Sequence, residues 1–328
     1  MIETGDDGAI FSVAFRSDGM QLLSGQSDGL RRWRVEDGQE VGNRMPMDVG
    51  VISVSMDGKW TVCGTTRGAS VWDTKIQEKA IEVEGTDYVV AVDISPESTR
   101  FATVTGGRDH KASIWNITTG ERLVGPIQHD DYIAGIKFSP NGEHIATAVA
   151  DNTIRVFDSR NGDQLITIKA STSPWSVPST PLAWSNNGQQ IFAASRDRKI
   201  KSFDVSTGSQ LVESQVHGDG EVRFIALAAN GKFLVTFAGH SMSFWDTSTL
   251  TQIDPVIEDS QMIRSIALSP DSSYLAMGGG QGNIAIRNLN DILPDLYGPF
   301  SVSIYACTLL SDKSHISFSL LISSLGTY

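Results

Sequence analysis

The chain has 328 residues, of which 40% are hydrophobic, and it carries a formal net charge of −12 at pH 7. This apolar content can fill a core, which excludes a disordered protein. The acidic balance argues against a protein that coats DNA or an anionic membrane, because either role needs a broad positive field, whereas a local basic patch remains compatible with it.

Composition narrows the class further. Cys63 and Cys307 are too few for a disulfide framework and have no Cys or His neighbours at zinc spacing. The first ten residues contain no basic stretch followed by a long apolar run, so no secretory signal is visible and a cytoplasmic location is expected. The chain has 31 glycines, and no stretch places apolar residues three and four apart over more than two turns, so an all-β fold is favoured.

A marker residue closes a short alternating run at near-constant spacing along the chain. The markers are Trp33, Trp72, Trp115, Phe157, Phe203, Trp245 and Arg287, separated successively by 39, 43, 42, 46, 42 and 42 residues. A period of roughly 40 to 45 residues is typical of the blades of a β-propeller. The count of markers predicts seven blades.

Each repeat has the pattern of a small antiparallel sheet of four strands, called a to d. In the fourth repeat, which contains "SPNGEHIATAVADNTIRVFDSRNG" at 139–162, we predict strands at 133–139, 144–149, 153–158 and 164–168. Five of the seven turns after strand a end in Gly, which accepts a positive φ without a Cβ clash. One such sheet cannot bury both faces alone, so the copies must stack around an axis. The prediction is an all-β fold, a closed seven-bladed β-propeller of four-stranded antiparallel blades over residues 1–302.

Several segments resemble the tryptophan-aspartate (WD) repeat of β-propellers. They are "SVWDTK" at 70–75, "SIWNITTG" at 113–120, "ADNTIRVFDSRNG" at 150–162, "SFDVSTG" at 202–208 and "SFWDTST" at 243–249. The resemblance covers about residues 5–300 and implies a non-catalytic scaffold or sensor module that binds a protein or peptide.

The resemblance also implies a polar network in each blade. It links a His before strand a, a Ser or Thr on strand b, an Asp in the b–c turn and the Trp of strand c. The third repeat matches it with Thr105, Asp109 and Trp115, and the fourth with His129, Thr147 and Asp151, where Phe157 replaces the Trp. The first repeat matches it with Ser24, Asp28 and Trp33, with Asp6 in the His place. No repeat has the whole network. We therefore interpret these polar residues as structural groups that fix the loops.

Candidate binding residues follow from strand direction. The b–c turns and the loops leading into strand a lie at the same end of every blade, because neighbouring strands are antiparallel. We call this the top end, and in the WD-repeat family it resembles the usual partner-binding surface. Arginines and aromatic residues at this end are typical of a protein-binding patch. The candidates are Arg67, Arg108, Arg196, Arg223, Arg264, Tyr88, Tyr132 and Phe11. The predicted partner is a protein or peptide that is acidic or phosphorylated, because guanidinium groups match such anions.

Signatures of catalysis and of cofactor binding were not found. There is no P-loop string, and the Gly-rich "GGGQGN" at 278–283 falls in a b–c turn without a following helix. The six histidines show no pair at metal-ligand spacing, so no enzyme, cofactor, metal site, membrane or nucleic acid is expected. Two alternatives stay open. One is a sugar-binding or enzymatic propeller that uses the central channel, and the other is the WD-repeat part of a larger NTPase-type regulator.

Two expectations concern the C-terminal residues. Nothing upstream of Asp6 is long enough for a strand, so the seventh blade is expected to take its outer strand from residues 296–302. Residues 303–328 resemble the first half of an eighth repeat, with a turn at 312–314. They are too interrupted by polar residues to span a membrane, and a half-blade cannot enter a ring already closed by seven. We therefore expect a loosely attached tail whose apolar face favours aggregation.

Overall fold

Short runs of β-branched and aromatic residues, separated by turn residues, form almost all of the regular structure. The computed structural model describes residues 2–3, 8–46, 49–85, 87–170, 181–194, 198–216, 220–259 and 262–293. Within these ranges the strands number 27, and one helix, α1 (Leu289–Ile292), follows the last strand. The all-β prediction is confirmed.

The first four blades occupy the N-terminal half of the chain. Strand β1 (Ile2–Glu3) precedes them. Blade 1 contains β2 (Ile10–Phe15), β3 (Gln21–Gln26) and β4 (Gly29–Arg34). Blade 2 contains β5 (Val51–Val54), β6 (Trp60–Thr65), β7 (Gly68–Asp73) and β8 (Glu78–Glu84). Blade 3 contains β9 (Val89–Ile94), β10 (Arg100–Thr105), β11 (Lys111–Asn116) and β12 (Arg122–Gln128). Blade 4 contains β13 (Ile133–Phe138), β14 (His144–Val149), β15 (Thr153–Asp158) and β16 (Gln164–Lys169).

Three more blades complete the propeller. Blade 5 contains β17 (Leu182–Trp184), β18 (Gln190–Ala194), β19 (Lys199–Asp204) and β20 (Gln210–Gln215). Blade 6 contains β21 (Val222–Leu227), β22 (Phe233–Ala238), β23 (Ser241–Asp246) and β24 (Gln252–Glu258). Blade 7 contains β25 (Ile263–Leu268), β26 (Tyr274–Gly279) and β27 (Asn283–Asn288). Every predicted marker residue is the fifth residue of strand c in its blade.

The blades are antiparallel sheets arranged around a central channel. In each blade strand a is innermost, and successive inner strands contact each other around the whole ring, with β25 contacting β2. The hydrophobic core lies mostly between neighbouring blades, as where Phe224, Phe233 and Phe244 of blade 6 share a cluster with Ile263 and Met277 of blade 7. The predicted seven-bladed β-propeller is confirmed.

Blade 1 departs from four regular strands. Its described sheet has three strands, β2, β3 and β4. Residues 40–45 run beside β4 through two isolated bridges, Trp33 to Glu40 and Leu30 to Met45. The outer position of this blade is therefore filled by irregular backbone.

The ring closes differently from the expectation. Strand β1 pairs antiparallel with β27, so that Ile2 faces Ile284 and Glu3 faces Asn283. The outer strand of blade 7 therefore comes from the N-terminus, and the prediction that nothing upstream of Asp6 forms a strand is wrong. Its physical reason is that a two-residue strand can pair with an existing edge although it is too short to show an alternating pattern. Residues 296–302 and the tail at 303–328 lie outside the described residues.

Candidate functional site

Three of the candidate residues occupy one equivalent position at the top of the central channel. In blades 1, 6 and 7 the pairing of strand a with strand b shifts register around the second residue of strand a. That residue is Phe11 in blade 1, Arg223 in blade 6 and Arg264 in blade 7. A β-bulge leaves its extra residue out of the ladder and re-aims the side chain. The three residues therefore follow one another on successive blades around the upper rim of the channel.

Within this rim, Arg264 and Phe11 are in contact. The Arg264 guanidinium carbon lies 5.7 Å from the centre of the Phe11 ring, a cation–π geometry. Arg264 is exposed, and Arg223 is half-buried. The aromatic ring thus holds the guanidinium near the channel mouth while leaving its N–H groups available to a ligand.

The remaining described candidates lie on blades 2 to 4 at the same end. Arg67 is in the turn between β6 and β7, Arg108 is in the turn between β10 and β11, and both are exposed. Tyr88 precedes β9, is 47% exposed, and rests its ring against Gly106. Arg196 lies outside the described residues. The top end therefore carries two groups, which are Phe11, Arg223 and Arg264 on blades 6, 7 and 1, and Arg67, Tyr88 and Arg108 on blades 2 and 3.

Tyr132 packs against the core and is also partly exposed at the surface. It precedes β13, is half-buried, and packs against two clusters of core residues. Burial, with a smaller effect of the nearby Tyr88 phenol, raises the pKa of Tyr132 to about 12. The phenol is therefore neutral at physiological pH and acts at most as a hydrogen-bond partner.

Ion pairing separates the candidate arginines from other arginines of the propeller. Several of those others pair with carboxylates: Arg31 with Asp28 and Glu40, Arg44 with Asp28, Arg155 with Asp130 and Asp151, and Arg287 with Asp259. In the part of the chain that the structure describes, no carboxylate lies within 4.0 Å of the guanidinium groups of Arg67, Arg108, Arg223 and Arg264. These four cations keep their charge available for an anion from outside.

A second polar feature, which sequence reasoning missed, lies in the central channel. The channel holds a cavity of about 470 Å³ lined by the inner strands. Lys137 Nζ lies 2.7 Å from Asp93 Oδ1, and Asp93 Oδ2 accepts the Phe138 N–H at 2.8 Å. The signal in the sequence is a single charged residue in each of two otherwise apolar runs, "VVAVDI" and "IAGIKF". Because the two charges neutralise each other and bridge blades 3 and 4, we interpret this pair as a structural link between the two blades.

The polar networks within the blades agree in part with the expectation. Trp33 Nε1 donates to Ser24 Oγ at 2.8 Å, and His129 Nε2 lies 3.0 Å from Thr147 Oγ1. In blade 3, however, Trp115 Nε1 donates to Thr103 Oγ1 at 2.9 Å, so the assignment of Thr105 to this network is wrong. Thr105 lies two residues further along the strand, and its hydroxyl bonds the Lys111 carbonyl instead.

Comparison with known proteins agrees with this geometry. Residues 78–116, 122–158 and 163–204 each match the sequence model of the family described as "WD domain, G-beta repeat". The chain carries WD repeats. The three matched segments run from β8 to β19, so each spans the d strand of one blade and the a, b and c strands of the next.

Curated relatives of this WD-repeat chain resemble parts of it. Nuclear distribution protein nudF of Aspergillus niger is 24% identical over 188 residues, which are 50% of this chain and 42% of the relative. Cilia- and flagella-associated protein 52 of Sus scrofa is 31% identical over 93 residues, 28% of this chain and 15% of the relative. U3 small nucleolar RNA-associated protein 15 homolog of Gallus gallus is 27% identical over 115 residues, 34% of this chain and 22% of the relative. The chain thus spans less than half the length of these relatives.

Among the described residues no group of three or more His, Cys, Asp or Glu side chains could hold a metal ion. Nor does any helix in the described ranges have the length and apolar character needed to cross a membrane.

Proposed function

We propose that the WD-repeat propeller is a non-catalytic scaffold whose top end binds an acidic or phosphorylated segment of a partner protein. The observation that carries the proposal is the set of four described arginines at this end that have no carboxylate partner among the described residues. Three relatives are named for nuclear distribution, for cilia and flagella and for a small nucleolar RNA, and none of these names is that of an enzyme, which agrees with a scaffold.

Charge and shape support one segment of the surface in particular. Arg223, Arg264 and Phe11 follow one another around the channel rim, and Arg264 is held by the Phe11 ring. A guanidinium group forms paired hydrogen bonds with a carboxylate or phosphate, and an aromatic neighbour adds apolar contact. The blade 6–7–1 rim is therefore the proposed centre of the site, while Arg67, Arg108, Arg196, Tyr88 and Tyr132 extend it.

The test measures binding of labelled phosphorylated and acidic peptides to the wild-type chain and to the variant Arg223→Glu/Arg264→Glu. We expect the double variant to lose at least tenfold in affinity and to unfold at nearly the same temperature. The matched control is Arg160→Glu, because Arg160 is exposed at the opposite end and pairs with Glu143. Equal affinity of wild type and double variant would contradict the proposal, as would an equal loss in the control.

The alternative that the central channel binds a ligand has its own test. A sugar-binding or enzymatic propeller would use the channel, where the paired Asp93 and Lys137 are the charged side chains on the described inner strands below the rim. Loss of ligand binding in Asp93→Asn, with the rim arginines intact, would favour this alternative. Membership of a larger NTPase-type regulator and a cytoplasmic location stay predictions.

A further inference from the structure

A cleft of about 270 Å³ opens between blades 2 and 3. We call it the blade 2–3 cleft, and its wall includes Gly85, Thr103, Asp109 and Trp115. It is separate from the rim of arginines described above. Its polar wall could hydrogen-bond a ligand.

Blade 4 of the same chain shows what fills the equivalent space there. His129 lies four residues before Ile133, the first residue of β13, and is 2% exposed. Its Nε2 atom lies 3.0 Å from Thr147 Oγ1, and its ring meets the Phe157 ring edge-on at 5.5 Å. An imidazole thus fits between the hydroxyl of strand b and the aromatic ring of strand c.

In blade 3 the corresponding imidazole is missing. Gly85 lies four residues before Val89, the first residue of β9, as His129 lies four before Ile133. Thr103 and Thr147 correspond because each faces the fourth residue of its strand a, Val92 and Ile136 respectively. Glycine therefore leaves open the space that a histidine ring occupies one blade further on.

The hydroxyl that would meet the ring is buried and has a spare hydrogen. Thr103 is 4% exposed, and its Oγ1 atom accepts the Trp115 indole N–H at 2.9 Å. No acceptor for the hydroxyl hydrogen of Thr103 is found among the described residues. Thr147 Oγ1, by contrast, donates to the Arg155 carbonyl at 3.4 Å and has the His129 imidazole 3.0 Å away. A buried donor without an acceptor is unfavourable, so a ligand nitrogen that accepts this hydrogen bond would be stabilised.

Charged side chains of both signs also line the cleft, namely Asp87, Asp109, Lys111 and Arg122. Asp87 and Asp109 both line it, and Asp109 Oδ2 lies 2.7 Å from Lys111 Nζ. Lys111 thereby pairs with one of the two carboxylates, and the Arg122 guanidinium carbon lies 4.8 Å from the centre of the Trp115 ring. The Asp87 side chain hydrogen-bonds Asp109 but has no lysine or arginine partner among the described residues, so it can attract a ring N–H.

We propose that the blade 2–3 cleft binds an imidazole ring, either free or as a histidine side chain of a partner protein. One ring nitrogen accepts the Thr103 hydroxyl hydrogen, and the ring packs beside Trp115. The second nitrogen points toward the carboxylates of Asp87 and Asp109. This site does not include Arg223, Arg264 or Phe11, the centre of the proposed function, whereas Arg67, Tyr88 and Arg108 lie next to its wall.

The test follows the indole N–H signal of Trp115 by NMR while imidazole is added at pH 8, with Trp115→Phe used to assign the signal. We expect a saturable shift of this signal in the wild type and in Gly85→Ala, because alanine leaves the cleft open. A Cβ at position 85 lies 3.8 Å from its nearest neighbours, so both alanine and histidine can be placed there. In Gly85→His the tethered ring should fill the cleft and abolish the response, and Thr103→Val should abolish it by removing the hydroxyl.

The outcomes are distinct. No response of Trp115 in the wild type, or an equal response in Gly85→His, overturns the proposal. If a variant does not fold, the wild-type titration alone still tests the proposal. In that titration the Trp115 signal must shift, while the signal of Trp72, whose indole N–H bonds Ser70 in blade 2, must not. A second arm titrates acetyl-Gly-His-Gly-amide and its alanine counterpart. If the histidine peptide shifts the Trp115 signal and the alanine peptide does not, the imidazole comes from a histidine side chain of a partner protein. If only free imidazole shifts the signal, the ligand is a small molecule.

Discussion

The turns between strands a and b require one residue with left-handed backbone, and two of them place a serine there. Glycine has this conformation at five turns, with φ of 68° at Gly19 and 71° at Gly142, for example. Ser98 and Ser272 have φ of 60° and 59° at the equivalent positions. A residue with a Cβ is strained in this region by about 1–2 kcal/mol, which glycine avoids.

We therefore expect Ser98→Gly to stabilise the protein. The relief of backbone strain exceeds the added entropy of the unfolded chain by about 0.5–1 kcal/mol. Ser272→Gly is the matched comparison, because the Ser272 hydroxyl accepts the Ala229 N–H at 2.7 Å and its loss offsets the gain. Urea unfolding measures both, and a Ser98→Gly variant less stable than Ser272→Gly would contradict the argument.

His129 predicts a pH dependence of stability. Burial lowers the pKa of His129 to about 4, and the positive charge of Arg155 adds to the effect. The unfolded chain has a histidine pKa near 6.5, so between these values the unfolded state binds more protons than the folded state. The stabilisation is present above about pH 6.5 and is lost as the pH falls toward 4, by at most about 3 kcal/mol.

The variant His129→Gln isolates this effect. Its amide can still bond Thr147 but does not titrate, so we expect a flatter stability curve between pH 6.5 and 4 than in the wild type. Denaturant unfolding at several pH values measures the difference. Parallel curves for the two proteins would show that His129 does not stay neutral in the folded state.

At the scale of single elements, side chains of some inner strands fasten one blade to the next. Ser265 Oγ accepts the Val13 N–H at 3.0 Å, and Ser12 Oγ accepts the Ile52 N–H at 3.1 Å. Between blades 3 and 4 this role falls to Asp93, which binds both Phe138 N–H and Lys137 Nζ. These bonds hold the inner strands in fixed relative positions, which in turn fixes the rim above them.

Replacing Asp93 should loosen one of these junctions. Asp93→Ala leaves a buried N–H and an ammonium group without their acceptor, so we expect a loss of about 1–3 kcal/mol. Asp93→Asn keeps an oxygen for the Phe138 N–H and should lose less. Unfolding by urea measures both variants, and stability equal to wild type in Asp93→Ala would show that the link does not bear on folding.

Sequence reasoning recovers elements whose pattern is local. It predicts the strands of the fourth blade at 133–139, 144–149, 153–158 and 164–168, within one residue of the observed strands at each bound. It missed β1, which has two residues and exists only because β27 offers an edge. It also placed Thr105 where Thr103 bonds Trp115, because two hydroxyls of one strand point to the same face and only the register distinguishes them.

At the scale of the whole molecule, the repeat predicts where residues lie but not what they contact. The blade register placed Arg223, Arg264 and Phe11 at the same end of the ring, and the bulge shared by their strands lies there. Pairs such as Arg287 with Asp259 or Arg31 with Glu40 join different segments, so the sequence alone did not separate paired from unpaired arginines. Long-range geometry supplied that distinction.

Closure of the ring depends on a very short segment, and this gives a prediction for the whole molecule. Ile2 is 5% exposed and shares a cluster with Phe15, Trp33 and Ile284, so it joins blades 7 and 1. Ile2→Ala removes buried methyl groups and weakens the pairing of β1 with β27, so we expect a loss of about 2–3 kcal/mol. The matched control is Ile76→Ala, because Ile76 is 60% exposed and its truncation should change stability by less than about 0.5 kcal/mol. Thermal and urea unfolding compare the two variants with the wild type. Equal stability of Ile2→Ala and Ile76→Ala would mean that the ring does not rely on its N-terminal strand. A larger loss in Ile2→Ala, with hydrogen exchange increased first at the amides of β27, would show that the ring opens at the junction between its last blade and its first.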